Sequence, residues 1–387
     1  MFIRSRQEMA QYIHDRMNKA YEDLTEDQKL EYEVNMAKVY LIEAHLAPDT
    51  PHDKVFGFLS NSLSEFQAQH GNEASARETD EERFFNAQIR AEDETVDFFI
   101  DASDPRFWLV HSMDKSKIID PLLDKLASGG HELDKAWMPV QLLRHVAGLG
   151  VLRGLSLEFD RREIPDVDFE ASGAPAEFLK MQLWGNKASK VLSILSHEEA
   201  FPHETTLSKV KVKYWANLDD DSESTIDDIK YDGKITARGT SFHSHITLIT
   251  DLYRKYSGKI REIESDYSIS YDVEEQRLSV RGDPINIVFK KPIGDMDVFC
   301  RHVFSSANPF RIWGVPVKLN NRHTRVSGFD LHVGKRIDFE ITPDYMRVYL
   351  PAGSCGNSVI RIITNLQHYY DSLVDAQNNE GRSLLDF

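Results

Sequence analysis

The sequence predicts an α+β fold: an N-terminal helical module followed by mixed, largely antiparallel sheet modules with strand–Gly–helix junctions. Three observations carry this. Apolar residues recur three and four apart through the first seventy positions. From about residue 95 short alternating segments dominate, in runs separated by single helices. Three of those segments run into a glycine and then an apolar helical pattern.

Taken in order, "QEMAQYIHDRMNKAYEDL" and "DQKLEYEVNMAKVYLIEAHL" read as two helices over residues 5–46. Thr25 and Gln28 read as a capping box opening the second. A third helix is predicted from Val55 to Gln69, with Gly71 beyond its end. The polar run 70–83 reads as a connection or an exposed helix start. Residues 1–94 thus form an acidic helical module.

Segment 95–265 reads as an α+β domain. "TVDFFID", "RFWLVHSM", "LRGLSLEFD", "FLKMQLWG" and "LSKVKVKYW" are strand-like, and "STIDDIKYDGKITARG" is a hairpin. Helices are predicted in "KSKIIDPLLDKLASGG", after Pro139, over 186–197 and from Ser241 to Ile263. Segment 266–387 reads as a second α+β domain. Its strands include "YSISYD", "RLSVRG", "INIVFKK", "FRIWGVPVKL", "RVSGFDLHV", "KRIDFEI" and "YMRVYLP". Its helices are "DMDVFCRHVFSSA" and a final "NSVIRIITNLQHYYDSLVDA". The strand–Gly–helix echo centres on Gly185, Gly239 and Gly353.

Composition narrows the function classes. The chain has 387 residues, 41% hydrophobic, with a net charge of −17. Two cysteines, Cys300 and Cys355, make no disulfide framework and fit a reducing compartment. The first residues lack the apolar run of a secretory signal. No stretch approaches the roughly 18 apolar residues of a spanning helix. The expectation is a cytoplasmic chain without membrane contact. Its net charge excludes a protein that coats nucleic acid with its whole surface. The acids concentrate at the front: residues 1–100 hold 21 acids and 10 bases, whereas 281–387 hold 13 bases and 11 acids.

That balance points to the last third as an anion-facing surface. Arg311, Lys318, Arg322 and Arg325 interleave with Trp313 and neighbouring phenylalanines, as in proteins that track a nucleic-acid backbone and stack its bases. "PAGSCGNSVIR" offers Ser354 and Asn357 at a glycine-rich helix start, where free N–H groups attract an anion. It lacks the lysine and the spacing of a Walker A loop.

Catalytic signals are thin. His203 with Thr205, and His245 with Thr247, form two His-x-Thr tripeptides. They resemble the centre of the two-histidine phosphoesterases, where one imidazole accepts and the other donates a proton. Glu158 and Asp160 lack the lysine of a nuclease motif. The acidic run 217–228 lacks the central glycine of a calcium loop. No metal site and no cofactor are expected. The stripe Met9, Ile13, Met17, Tyr21 on the first helix suits a core face or a protein partner. The leading expectation is a non-enzymatic binding or regulatory subunit of a multi-protein complex. Its N-terminal helices meet a protein, and its C-terminal third contacts RNA, DNA or a nucleotide. A metal-independent phosphodiesterase or nuclease and a pure protein–protein adaptor are the alternatives.

Overall fold

Sheet structure begins earlier than the apolar spacing predicts, at Ala37. A computed structural model describes residues 2–22, 36–91, 94–130, 132–160, 164, 178–185, 187–197, 203, 206–217, 223–274 and 277–387. The chain is an α+β protein, and it divides into two units. The first holds Met1–Ala136, Ala147–Val151 and Lys211–Arg254; the second holds Trp137–Val146, Leu152–Val210 and Lys255–Phe387.

In the first unit, α1 (Arg6–Glu22) is followed by β1 (Ala37–Ala44). Residues 37–44 were expected to be helical, and this is corrected. All eight side chains of β1 are buried. A strand covered on both faces shows no alternation, so its apolar run looks like a piece of buried helix. The Thr25–Gln28 capping box lies outside the described residues. Next come α2 (His52–His70), β2 (Ala74–Glu78), β3 (Phe84–Ala91), β4 (Glu94–Asp101), β5 (Phe107–Ser112), α3 (Ser116–Gly129) and β6 (Leu133–Lys135). The run 70–83 therefore holds a strand, not a helix start. β2 is a mostly exposed edge strand whose charges suit an unpaired edge. After β9 (Leu207–Tyr214), the hairpin β10 (Thr225–Lys230) and β11 (Lys234–Gly239) leads into α6 (Phe242–Asp266). The division between units falls inside β9 and α6.

These strands order as β2-β3-β4-β5-β1-β11-β10, with β6 also on β1. The pairings are antiparallel. One sheet face carries Tyr40, Ile42, Phe98 and Trp108 and packs on α2 and α3 through Leu59, Phe66, Ile119 and Leu123. The other carries Ala37, Phe99 and Ala237 and packs on Met9, Ile13 and Met17 of α1 and on Phe242. Burying each such side chain contributes about 1.5–3 kcal/mol. Met9, Ile13 and Met17 of the α1 stripe are therefore core, the first of its two expected uses. Ser5 caps α1 by accepting the Glu8 N–H at 3.1 Å, while the Glu8 carboxylate accepts the Arg4 N–H at 2.7 Å.

The second unit contains α4 (Val140–Ala147) but for its last residue, β7 (Val151–Asp160) from Leu152 onward, β8 (Phe178–Trp184) and α5 (Ala188–His197). β7 and β8 pair antiparallel. Its main sheet uses β12 (Ser268–Glu274), β13 (Arg277–Arg281), β14 (Ile285–Val288), β15 (Ile312–Asn320), β16 (His323–Asp330), β17 (Lys335–Ile341) and β18 (Tyr345–Pro351). The order is β13-β12-β18-β17-β16-β15, with β14 on β18 and on β19 (Asp375–Gln377). Among the described residues of this sheet, β12–β18 is the parallel pairing, over two residues.

Two helices complete this unit, α7 (Met296–Val303) and α8 (Gly356–Tyr369). Residues Gly356–His368 are buried without exception. Most of the polar ones are held from within the unit, although the buried Thr364 hydroxyl finds no hydrogen-bond partner among the described residues. Arg361 donates to Asp330 at 2.5 Å and to the Phe310 carbonyl at 2.8 Å. Ser358 donates to Asp330 and Tyr256 to Asn357. Gln367 accepts the Val140 N–H at 2.9 Å and donates to the Val374 carbonyl at 2.9 Å. A helix buried all round tolerates such residues because most of them find a partner.

The final helix ends at Tyr369, not beyond residue 370 as its apolar pattern suggests. Asp371 turns the chain aside. Its carboxylate accepts the N–H groups of Lys290, Lys291 and Leu373 at 2.9, 2.9 and 3.0 Å.

The strand–Gly–helix echo is real in the backbone. Gly185, Gly239 and Gly353 have φ of 90°, 141° and 78°, the region that favours glycine. They join β8 to α5, β11 to α6 and β18 to α8. At Gly239 an added Cβ would lie 2.4 Å from the Ser224 carbonyl oxygen.

Arg361 and Asp330 are 0% and 4% exposed at their side chains. Burial pushes the Asp330 carboxyl up, but the Arg361 guanidinium, His332 and the Ser358 hydroxyl bring it below the ordinary carboxylate range. Asp330→Ala leaves the guanidinium without its carboxylate and should cost about 3–5 kcal/mol. Urea unfolding followed by circular dichroism measures this. A loss under 1 kcal/mol would show that the pair does not hold α8.

Candidate functional site

The glycine-rich turn before α8 is a helix start already occupied by the protein's own groups. The Gly356 N–H donates to the Glu264 carboxylate at 2.7 Å, which sets an anion at the positive end of the helix. An added Cβ at Gly356 would lie 2.8 Å from the Ile260 carbonyl oxygen, so glycine permits the approach of α6. Asn357 accepts the Tyr256 hydroxyl. Ser354 is 6% exposed and Cys355 is buried. No surface cradle forms from Ser354 and Asn357.

The basic segment divides. Arg311 is 5% exposed, with φ of 53°. Lys318 donates to Asp297 at 2.5 Å, a bond that raises its pKa. Arg322, in the β15–β16 turn, reaches Asp344 at 3.5 Å. Register separates the rest. Trp313, Val315 and Val317 of β15 pair with Phe329, Ser327 and Arg325 of β16. Directly paired residues share a face, so these six lie together. Lys318, paired with Thr324, points the other way. Of the five residues, Trp313 and Arg325 share a face, with Val317 opposite Arg325.

That shared face is open. Trp313, Val315 and Val317 are 47%, 53% and 55% exposed, and Phe329 is 46% exposed. Leu319, at a register irregularity, is also exposed. The Trp313 and Phe329 rings lie 6.3 Å apart at 30°. Farther across the face, Arg325 pairs with Glu340 and Ser327 with Asp338. A groove of about 340 Å³ follows, lined by Tyr271, Arg325, Asp338, Glu340, Tyr349 and Pro351 among others. Tyr349 donates to Glu340 at 2.9 Å, and Arg336 pairs with Asp338 at 2.9 Å. The face grades from apolar at β15 to charged at β17 and β18. The sequence reading found Trp313 and Arg325 but missed Val315, Val317 and Phe329. Alternation on a strand was visible there, but not which side of it stays uncovered.

Each expected catalytic histidine is engaged by a carboxylate inside its own unit. In the first, His245 is fully buried on α6 and bonded to Asp227 of β10. Thr247 donates to the His243 carbonyl at 2.9 Å, a helical back-bond. In the second, His203 meets Asp371 at 2.9 Å. Thr205 and the acidic positions 218–222 lie outside the described residues. Glu158 approaches Lys180 at 3.6 Å across β7 and β8. The Cys300 thiol is pushed up to about 12 by burial and by Asp297 and Asp295, so it stays protonated.

A second polar cluster lies on the α3 face of the first unit. Asp120 accepts from the Tyr40 hydroxyl and from Lys234 Nζ. These line a small pocket together with Lys135, Lys230, Asp124 and Asp232. Burial and the neighbouring Asp120 raise the Tyr40 pKa, so the phenol keeps its proton.

A family model described as MJECL33-like protein matches residues 1–384. The chain belongs to the MJECL33-like family. It is 31% identical over 407 residues to a Methanocaldococcus jannaschii protein named Uncharacterized protein MJECL33, covering 96% of this chain and 93% of that one. The family match runs through both units, from α1 past β19. Among the described residues, no helix is long and apolar enough to cross a membrane.

Two buried histidines give this family member a pH signature. Burial lowers His111 to about 4, with Asp101 opposing and His245 adding to the shift. Burial lowers His368 to about 3, against its bond to the Glu158 carbonyl. A histidine held below its unfolded value near 6.5 stabilises the fold fully above that pH. The contribution is lost as pH falls toward the folded value. The melting temperature should therefore drop steadily between about pH 6.5 and 4. His111→Gln should flatten that slope whatever it does to stability at pH 7. An unchanged slope would mean that the ring titrates as in the unfolded chain.

Proposed function

We propose that this protein is a non-catalytic binding subunit, and that its docking surface is the open face of β15 and β16. One observation carries the reading: Trp313, Val315, Val317 and Phe329 stand together, each about half exposed, on a paired two-strand surface. Exposed apolar patches of this kind mark interaction sites, and tryptophan and arginine are enriched where binding energy concentrates. The partner is a protein segment with an apolar stripe. A basic side chain at the end of that stripe meets the groove, where Asp338 and Glu340 outnumber Arg325.

The same charges speak against nucleic acid as the main ligand. A phosphate backbone needs several cations on one face. Here Lys318 faces away and is tied to Asp297, Arg322 reaches Asp344, and Arg311 is buried. A phosphodiesterase built on His203 and His245 finds little support. His245 is fully buried, and both rings already meet carboxylates. Residence in the cytoplasm remains part of this proposal and rests on composition alone.

The test starts from the complex purified from native cells, with the partner then produced separately. Trp313→Ala with Val317→Asp should weaken binding to the purified partner at least tenfold and leave the melting temperature within about 2 °C. Arg322→Ala should change little, and nuclease treatment should not release the partner. Binding that survives the double variant, or that falls steeply with salt and depends on RNA or DNA, would replace this reading with the nucleic-acid one.

A further inference from the structure

The pocket between α3 and the β10–β11 hairpin lies in the first unit. Its volume is about 90 Å³, and its lining is unusual in composition. Three lysines, Lys135, Lys230 and Lys234, face three aspartates, Asp120, Asp124 and Asp232. Leu123 and Ala127 of α3 supply an apolar wall.

Two of the three charge pairs are closed. Lys234 is tied to Asp120, which also accepts from Tyr40, and Lys234 reaches the Ser116 hydroxyl at 3.2 Å. Lys135 meets Asp124 at 2.7 Å. The third pair is left over. Among the described residues, neither Lys230 nor Asp232 makes an ion pair; Asp232 accepts only the Lys234 N–H, at 3.4 Å. The two stand two residues apart on one hairpin. Gly233, next after Asp232 in the same turn, has φ of 79°, and an added Cβ there would lie 2.6 Å from the Ala136 carbonyl oxygen, so the turn admits no side chain at that position.

We infer that this pocket binds a small zwitterion of the amino-acid class, its carboxylate on Lys230 and its ammonium on Asp232. The charge count selects the class. The lining sums to zero, and its two inner pairs neutralise themselves. A phosphate would face Asp232, Asp124 and Asp120 with one uncommitted lysine. A divalent cation would face three lysines. A molecule that is neutral overall but carries separated charges satisfies both leftover groups without leaving either desolvated alone. The volume limits the side chain to a hydrogen or a small group against Leu123 and Ala127. Tyr40, held protonated at the floor, keeps its hydroxyl on Asp120 and does not compete for the ligand.

Isothermal titration of the full chain with glycine, L-alanine and β-alanine tests this, with acetate, ethylammonium, phosphate and magnesium chloride as controls. At least one amino acid should bind, and all four controls should fail at the same concentration. Lys230→Gln and Asp232→Asn should each weaken the binding tenfold or more. Ala127→Phe, which fills the pocket without touching a charge, should abolish it. Melting temperatures of the variants identify any that fail to fold. No heat with any amino acid at millimolar concentration would overturn the inference. So would binding of acetate or phosphate equal to that of the amino acids, or amino-acid binding unchanged in both charge variants.

Discussion

The second unit depends on keeping a helix that is buried on every side supplied with partners. α8 carries Asn357, Ser358, Arg361, Gln367 and His368 where water cannot reach them. Each would cost several kcal/mol if left unpaired. The unit meets this demand from several elements at once: Asp330 at the end of β16, Tyr256 on α6, Val140 on α4 and Glu158 on β7. One helix thus ties together strands and helices from distant parts of the chain. These polar contacts, together with the buried Val359, Ile360, Ile362, Ile363 and Leu366, fix where α8 sits.

This constraint decides what is left for function. The positive end of α8 would be an anion site if it were open, but Glu264 fills it. Asp330 faces inward to Arg361, which fixes the end of β16. Toward β15 the opposite face of the sheet is left with aromatic and β-branched side chains that stay exposed among the described residues. An interior closed by its own hydrogen bonds beside an open apolar strand face is what the proposed docking role rests on. The first unit differs. Its sheet is covered on both faces, and a charged pocket opens at a hairpin.

Much of the fold was legible because local patterns were honest. Gly185, Gly239 and Gly353 announced three strand-to-helix junctions, and all three adopt the backbone that only glycine takes easily. The hairpin at β10–β11 and the alternating strands β16 to β18 followed from period-two spacing. Failures came where burial erased the pattern. β1 is central and covered on both faces, so "AKVYLIEA" carried no alternation. The end of α8 depended on Asp371 gathering N–H groups from Lys290 and Lys291, some eighty residues away. Of the site, Trp313 and Arg325 were visible as residue types. The grouping of charge was not, because it depends on strand register.

The sequence by itself determined the α+β class, the junction glycines and the excess of acid over base, since these rest on residue-by-residue propensity and composition. Tertiary structure alone decided which side chains face outward. Alternation tells a strand's two sides apart, but only packing chooses the one that stays open. It likewise decided which charges are already answered, because Lys318, Arg322 and Arg361 are all plain cations in a sequence and differ in burial and in the carboxylate each one meets.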